Sequence, residues 1–273
     1  VLKERGMGYP CDLYLEGSDQ YRGWFNSSLI LGVAKHGKSP YKELVSHGFI
    51  VDEKGMKMSK SLGNGVDPLK VINTQGADIL RLWVASIDYQ ADCKIGQDIL
   101  KQVSESYRKI RNTFRFLIGN LSNGDYGKFN IYYDKVEDYE YVDLCVLEKL
   151  KEVKNTVLDS YDSYDFSTVL TTIINFMSVE LSSFYLDLSK DILYCETYES
   201  LRRKQVQNVL YKVLDTTVRL LTPIIPHTMD ELYTELGGKE KSAQLLSMPV
   251  FGMVHGVDKD ACLVEINSGD SFA

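Results

Sequence analysis

Two lysines three residues apart stand in a stretch of the chain that is flanked by glycines. Residues 57–61 have the sequence KMSKS, and Gly55 and Gly63 lie on either side of them. Lys57 and Lys60 would supply mobile positive charges to a polyphosphate, while serine hydroxyls and backbone N–H groups would supply neutral donors. Such a loop stabilises the charge that builds on a leaving pyrophosphate. The composition of these five residues alone favours a solvated surface loop, so the phosphate interpretation depends on the surrounding sequence.

The elements that must position this loop alternate between strand and helix. Residues 12–16, DLYLE, alternate in polarity before a Gly-Ser-Asp loop, which predicts a strand. Residues 24–36 predict a helix, and residues 44–51 predict a second strand. Residues 78–86 predict another helix, and Pro68 is suited to begin the helix before it. This alternation favours an α/β layer, in which ligands bind beyond the carboxyl ends of the strands.

The pattern changes near residue 97, where apolar residues begin to recur every three or four positions. Residues 97–121 predict a single helix of about seven turns. Asp165 is suited to cap a later helix, and further helices are predicted at 144–158, 206–221 and 227–236. Consecutive amphipathic helices of this kind indicate a bundle.

The predicted fold class is therefore α/β plus all-α. We expect an α/β domain over residues 1–95, a helical bundle over 96–238 and the start of an incomplete region over 239–273. Val1 is not an initiator methionine, and the residues after it have the pattern of a helix end that turns into a strand. We therefore expect a piece of a longer protein.

Charge is spread unevenly along the chain. The net charge of −7 does not favour a protein that binds nucleic acid over its whole surface. The predicted helix at 97–121 is nevertheless basic. Its cations either form salt bridges with the acidic stretch at 125–143 or contact nucleic-acid phosphates. The basic positions are Lys101, Arg108, Lys109, Arg111 and Arg115.

Composition excludes several classes of protein. With 44% hydrophobic and 25% charged residues, the chain is neither disordered nor collagen-like. No apolar run approaches the ~18 residues of a membrane span, so we expect no membrane partner. The 5 cysteines are scattered without a CxxC pair, which argues against a disulfide framework and against a cysteine zinc site. They fit a reducing cytosol, and we expect a cytoplasmic protein with no metal ligands in these residues.

The KMSKS string is far more specific than its composition. Its context, HGFIVDEKGMKMSKSLGN, resembles the class Ia aminoacyl-tRNA synthetases for isoleucine, valine, leucine and methionine. YPCDLYLEGSDQYRGWFNSSL at 9–29 and QVSESYRKIRNTFRFLIGNL at 102–121 resemble the isoleucyl members in particular. The resemblance is specific to about residue 121 and looser to about residue 249. It implies a Rossmann-like nucleotide-binding part followed by an anticodon-binding helical bundle.

The resemblance assigns roles to matching positions. Lys57 and Lys60 match the catalytic lysines of the mobile loop, and Trp24 and Gln20 match residues around the amino-acid side chain. The basic positions of the helix at 97–121 would contact tRNA. The residues that match the ATP and adenylate site are Glu16, Gly17, Asp19, Gln20, His47, Gly48, Phe49, Ile50, Ser59 and Lys60.

Each assignment has an ordinary structural alternative. Asp19 could cap the helix that follows it, Trp24 could be a core residue, and His47 could be a buried histidine with satisfied ring nitrogens. Tyr107 and Phe114 fall on the apolar stripe of the basic helix, so we expect them in the core rather than stacked on bases.

The implied activity is that of an isoleucine–tRNA ligase. It would use ATP with Mg²⁺, isoleucine and tRNA(Ile), and we expect a monomeric full-length enzyme. The alternatives are a valyl or leucyl enzyme, or a tRNA-binding module without catalysis. The His-x-Gly-His signature, the editing domain and the cysteine cluster that holds zinc in many members are absent from these residues. We therefore expect zinc, if any, only in the full-length enzyme, and no activity from this piece alone.

Overall fold

The computed structural model describes residues 5–59, 61–121 and 139–250. The chain divides into two compact units. The α/β unit consists of residues 1–67 and 87–99, and the helical unit consists of residues 68–86 and 100–273. The domain limits expected at 95 and 238 stay a prediction.

The described residues of the α/β unit form short parallel strands and one complete helix. Strands β1 (Cys11–Gly17) and β2 (Tyr41–His47) pair in parallel, with Gly17 opposite His47 at their carboxyl ends. Strands β3 (Ile50–Val51) and β4 (Cys93–Lys94) also pair in parallel, with Ile50 opposite Cys93. The elements are β1 (Cys11–Gly17), a 3₁₀ turn (Ser18–Arg22), α1 (Trp24–His36), β2 (Tyr41–His47), β3 (Ile50–Val51) and β4 (Cys93–Lys94).

The second predicted strand, 44–51, is wrong as a continuous element. The chain leaves the β1–β2 ladder at Gly48, whose N–H donates to Tyr89 O at 2.9 Å. A Cβ at Gly48 would lie 2.2 Å from Ala91 O, so only glycine fits this close approach of two backbones. Beyond it, β3 pairs with a different strand.

Helix α1 has the limits that its sequence predicts. Gly37 follows it in the left-handed conformation, with φ 69° and its N–H donated to Val33 O. A left-handed residue of this kind is the usual end of a helix, and glycine adopts it without steric cost.

The helical unit is built around one hydrophobic core. Phe114, Leu150, Ile173, Val209 and Leu214 are all fully buried in it. The helix predicted at 97–121 has those limits, whereas the helix predicted at 144–158 is longer at both ends. The helices are α2 (Pro68–Gln75), α3 (Ala77–Ser86), α4 (Gln97–Leu121, which begins in the α/β unit), α5 (Tyr141–Asp162), α6 (Phe166–Asn175), a π-helical segment (Phe176–Tyr185), α7 (Leu186–Cys195), α8 (Leu201–Leu221) and α9 (Pro226–Glu235).

One helical stretch, Phe166–Cys195, is long and apolar enough to cross a membrane by length and composition. A helix that is buried in a protein core passes the same test, and Ile173, Phe176 and Leu181 of this stretch lie in the core.

The described cysteines differ in their bonding. Cys11, Cys93 and Cys195 are free thiols. Cys145 is disulfide-bonded.

Candidate functional site

The carboxyl ends of β1 and β2 bring two predicted site residues together. Gly17 and His47 are paired in the parallel register. A Cβ at Gly17 would lie 2.7 Å from Asp19 Oδ1 and 3.6 Å from His47 Cε1, so the absent side chain lets the carboxylate and the imidazole approach the same point. Glu16 is exposed beside them, and its Oε2 accepts from the N–H of Gly17 at 3.4 Å.

The 3₁₀ turn after β1 fixes Gln20 between two partners. Its Nε2 donates to Asp19 Oδ2 at 3.2 Å, and its Oε1 accepts from the N–H of Trp24 at 2.9 Å. Gln20, not Asp19, therefore satisfies the first turn of α1, and the alternative that Asp19 caps this helix is wrong. The Asp19 carboxylate stays exposed and accepts from one side-chain amide, so it keeps acceptor capacity for hydroxyl donors.

Trp24 is not a core residue. Its side chain is 54% exposed, and its ring stacks on Tyr14 with centroids 5.8 Å apart and planes inclined by 19°. An indole that is supported on one face and open elsewhere offers a flat apolar wall to a ligand.

His47 is exposed, so the alternative of a buried histidine is also wrong. Its Nδ1 lies 2.8 Å from the carbonyl oxygen of Gly48. Because that oxygen only accepts, Nδ1 carries the proton and Nε2 remains an acceptor in the neutral ring.

The segment after His47 is held by Asp92 and by Cys93, the first residue of β4. The N–H of Phe49 donates to Asp92 Oδ1, and the N–H of Cys93 donates to Phe49 O, both at 2.8 Å. The side chains of Phe49 and Ile50 nevertheless remain about half exposed, at 47% and 51%. The backbone is anchored while the apolar faces stay open to a ligand.

The lysine–serine loop, residues 57–61, lies beside this segment. Lys57 Nζ is 5.8 Å from the centroid of the Phe49 ring, so a predicted catalytic lysine contacts a predicted ATP-site residue. The N–H of Ser59 donates to Asn64 Oδ1 at 3.0 Å. Lys60 lies outside the described residues.

Sequence reasoning missed the residues that hold these groups. Asp92 supports Phe49, Asp52 bonds to the backbone just before the lysine–serine loop, and Asn64 bonds to the backbone of Ser59 within it. The Asn64 amide lowers the pKa of Asp52, and the N–H of Met56 lowers it further. A usable signal was present, because Asp52 and Asn64 each begin or end a glycine-containing turn in which such side chains commonly bond to backbone.

The basic positions of α4 are all exposed. Within the described part of the chain, Arg111 is the only one of the five with an ion-pair partner, Glu231 at 3.3 Å. Of the acidic stretch at 125–143, residues 125–138 lie outside the described residues. Glu140 and Asp143 pair with Arg202 and not with α4.

The apolar side of α4 is as predicted. Phe114 is fully buried, and Tyr107 packs against the core with its hydroxyl 2.8 Å from Thr228 Oγ1. Neither ring is available for stacking on a base.

Metal ligands are not gathered anywhere in residues 5–59, 61–121 or 139–250, where no group of three or more His, Cys, Asp or Glu could hold an ion.

Two family models match the chain. Residues 2–96 match tRNA synthetases of class I for isoleucine, leucine, methionine and valine. Residues 143–262 match the anticodon-binding domain of tRNA ligases.

Curated relatives are identical to this chain at about half of the aligned positions. An isoleucine–tRNA ligase of Brevibacillus brevis is 53% identical over 252 residues, which cover 91% of this chain and 27% of the relative. One of Bacillus mycoides is 52% identical over 258 residues, which cover 94% of this chain and 28% of the relative. The chain thus spans little more than a quarter of the length of these relatives.

Solved structures show the same fold at low sequence identity. LeuRS of Agrobacterium radiobacter, in a ternary complex with tRNA and LeuAMS, has a TM-score of 0.68 at 21% identity over 86% of this chain and 28% of its own. Methionyl-tRNA synthetase of Mycobacterium tuberculosis, in complex with methionyl-adenylate, has a TM-score of 0.70 at 19% identity over 84% of this chain and 45% of its own. These matches confirm the predicted fold class, a Rossmann-like part joined to a helical anticodon-binding part. The chain belongs to the class I aminoacyl-tRNA synthetases, and over 91% and 94% of its length it is similar to the two isoleucine–tRNA ligases.

Proposed function

We propose that the full-length protein activates isoleucine with ATP and transfers it to tRNA(Ile). The observation that carries this proposal is the geometry of the strand ends, where Gly17 leaves room for Asp19 and His47, together with Lys57 against Phe49. The names of the relatives support isoleucine as the amino acid.

The first step is a displacement at phosphorus. An oxygen of the isoleucine carboxylate attacks the α-phosphorus of ATP, the bond from that phosphorus to the bridging oxygen of the β-phosphate breaks, and pyrophosphate leaves with the electron pair. Negative charge grows on the leaving oxygens, and Lys57 and Lys60 would stabilise it electrostatically. No covalent intermediate with the protein is required, so rate acceleration rests on positioning and charge.

The exposed groups at the strand ends would bind the other parts of the two substrates. Asp19 would accept hydrogen bonds from the ribose hydroxyls, and the backbone of residues 47–50 would border the adenine and phosphates. Trp24 would form one wall of the isoleucine pocket, with Gln20 facing the aminoacyl group. Mg²⁺ would enter with ATP as part of that substrate.

The second step needs the tRNA in a fixed position. A hydroxyl of its terminal ribose attacks the carbonyl carbon of the adenylate and loses its proton. The bond from that carbon to the phosphate oxygen breaks, and AMP leaves with the electron pair. The unpaired cations of α4 fit a surface that contacts tRNA phosphates, which supply much of the affinity in such complexes. We further propose a cytoplasmic, monomeric enzyme.

Pyrophosphate exchange by the full-length protein tests the proposal. We expect isotope exchange between pyrophosphate and ATP that depends on isoleucine, with much slower exchange for valine and leucine, and charging of tRNA(Ile). Faster exchange with valine than with isoleucine would identify the protein as a valyl enzyme instead. Binding of tRNA without exchange for any of the three amino acids would identify a non-catalytic module.

Lys60→Ala tests the catalytic assignment within that assay. Loss of one donor to a developing anion should slow exchange by about 10²-fold. Lys54→Ala is the matched control, because it removes the same charge from an exposed position before the loop. Equal rates for the two variants would remove the assignment of Lys60.

A further inference from the structure

We propose that Asp52 and Asn64 are positioning residues that hold the lysine–serine loop, so that Lys57 meets the triphosphate as it splits. This inference rests on the proposed function for its catalytic part. Neither side chain is among the residues that the sequence assigns to the site.

Asp52 organises the entry to the loop. Its Oδ1 accepts from the N–H of Met56 at 2.8 Å and from the N–H of Lys54 at 3.0 Å. Its own N–H donates to Met56 O at 3.0 Å, and the turn between them passes through Gly55 at φ 81°. One carboxylate oxygen therefore fixes the direction in which the chain approaches Lys57.

Asn64 organises the exit from the loop and joins it to the entry. Its Nδ2 donates to Asp52 Oδ2 at 2.8 Å and to Lys57 O at 3.4 Å. Its Oδ1 accepts from the N–H of Ser59 at 3.0 Å. The amide orientation is fixed by these partners, since its nitrogen faces acceptors and its oxygen faces a donor.

The charge state of Asp52 suits this role. The Asn64 hydrogen bond is the largest cause that lowers the pKa of Asp52, so the carboxylate is ionised at neutral pH and accepts through both oxygens. Hydrogen bonds to an ionised acceptor are stronger than those between neutral groups.

The bonds farther out in the loop are local. Ser59 Oγ and Ser61 Oγ are 3.1 Å apart, and the N–H of Leu62 donates to Ser59 Oγ at 3.2 Å. The Asp52–Asn64 contact, in contrast, joins positions 12 residues apart. The backbone of Lys57 is held by the bond from Asn64 Nδ2 to Lys57 O and by an antiparallel bridge to Val51. The ammonium group of Lys57 lies over Phe49. The pair therefore sets where the first lysine of the loop stands.

A charge exchange within the pair provides the test, in the full-length protein. Asn64→Asp places a carboxylate against Asp52, and we expect kcat of pyrophosphate exchange to fall by about 10²-fold, the scale of a small misplacement of catalytic groups. The KM for isoleucine should stay within about twofold, because the amino-acid pocket is not touched. The double variant D52N/N64D restores a donor and an acceptor at the same contact, and it should regain most of the lost kcat.

Asn73→Asp is the control for added charge, because Asn73 is exposed on α2. It should leave kcat unchanged. A rate for Asn64→Asp equal to that of Asn73→Asp, or a double variant no faster than Asn64→Asp alone, would overturn the proposal.

Hydrogen exchange of the peptide that spans residues 52–64 gives a readout without catalysis. We expect faster exchange in Asn64→Asp than in the unmodified protein, with protection regained in D52N/N64D. Unchanged protection in Asn64→Asp overturns the positioning pair even if the enzyme is active. The unmodified protein could be inactive while hydrogen exchange still shows loss of protection in Asn64→Asp and its recovery in D52N/N64D. That result would remove the proposed function and would still establish that Asp52 and Asn64 hold the loop.

Discussion

The helical unit and the α/β unit place their polar side chains under different constraints. In the helical unit, Asp143 is fully buried, and it accepts from the hydroxyl of Tyr185 at 2.6 Å and from Arg202 Nη2 at 3.1 Å. In the α/β unit, Asp19 and His47 are exposed, and only part of their hydrogen-bonding capacity is used. Polar groups that protein partners already satisfy stabilise the fold, whereas groups left open can bind a substrate.

The Asp143 cluster should give the largest effect on stability. Asp143→Ala leaves the Tyr185 hydroxyl and the Arg202 guanidinium without their buried acceptor, and we expect a loss of about 3–5 kcal/mol in the free energy of unfolding of the helical unit. Denaturant unfolding of the full-length protein, followed by hydrogen exchange of peptides from α5 and α8, measures this loss. Asp187→Ala is the control, because its pair with Lys190 is exposed, and exposed pairs of this kind contribute little to stability. A loss from Asp143→Ala no larger than the control's would mean that the buried contacts of Asp143 do not stabilise the helical unit.

Sequence reasoning predicted the regular parts of the helical unit because their determinants are local. The limits of α4 follow from its apolar repeat, and the cap of α6 follows from Asp165. The burial of Asp143 was missed, since its partners lie 42 and 59 residues away along the chain. The sequence alone placed it at the end of an acidic loop.

The π-helical segment Phe176–Tyr185 was missed for a different reason. The apolar repeat through it resembles that of an α-helix. Within it, the side-chain hydroxyls of Ser182 and Ser183 donate to carbonyl oxygens five residues earlier, at 2.6 and 2.8 Å, and the apolar repeat carries no signal for these contacts.

In the α/β unit, the sequence indicated which residues would lie at the strand ends but not how they are held. Gly17 and His47 were assigned through resemblance, and the structure shows them as partners in the register. The break of the second strand at Gly48 depends on Tyr89 and Ala91, which approach only after the chain has folded.

Gly48→Ala should give the next largest effect, now in the α/β unit. The new methyl group would lie 2.2 Å from Ala91 O, against backbone that cannot rotate away. Overpacking of this size costs about 1–3 kcal/mol. Hydrogen exchange of peptides that cover β2, β3 and β4 should quicken, while peptides from α8 stay protected. Gly65→Ala is the control, since a Cβ there meets nothing within 4 Å. Similar exchange in both variants would mean that the two backbones do not constrain each other.

The smallest effect expected is at the cap of α6, where a charge in the helical unit stays exposed and still contributes to stability. Asp165 Oδ1 accepts from the N–H of Thr168 at 3.1 Å, and Oδ2 accepts from the Thr168 hydroxyl at 2.6 Å. Asp165→Ala should lower the free energy of unfolding by about 1 kcal/mol at neutral pH.

The pH dependence of that difference follows from the same contacts. The Thr168 hydroxyl, and then its N–H, lower the pKa of Asp165 below its usual 3.8. A carboxyl whose pKa is lower in the folded state stabilises the fold above its unfolded pKa and loses that contribution as pH falls through the folded value. The difference between the unmodified protein and Asp165→Ala should therefore be constant near neutrality and shrink once the pH falls below 3.8. Asp165→Asn keeps an acceptor without a titrating charge, so its difference from Asp165→Ala should not change over this range. If all three unfolding curves keep the same spacing as the pH falls, the cap acts by geometry alone, and an exposed charge in this unit does not contribute to its stability.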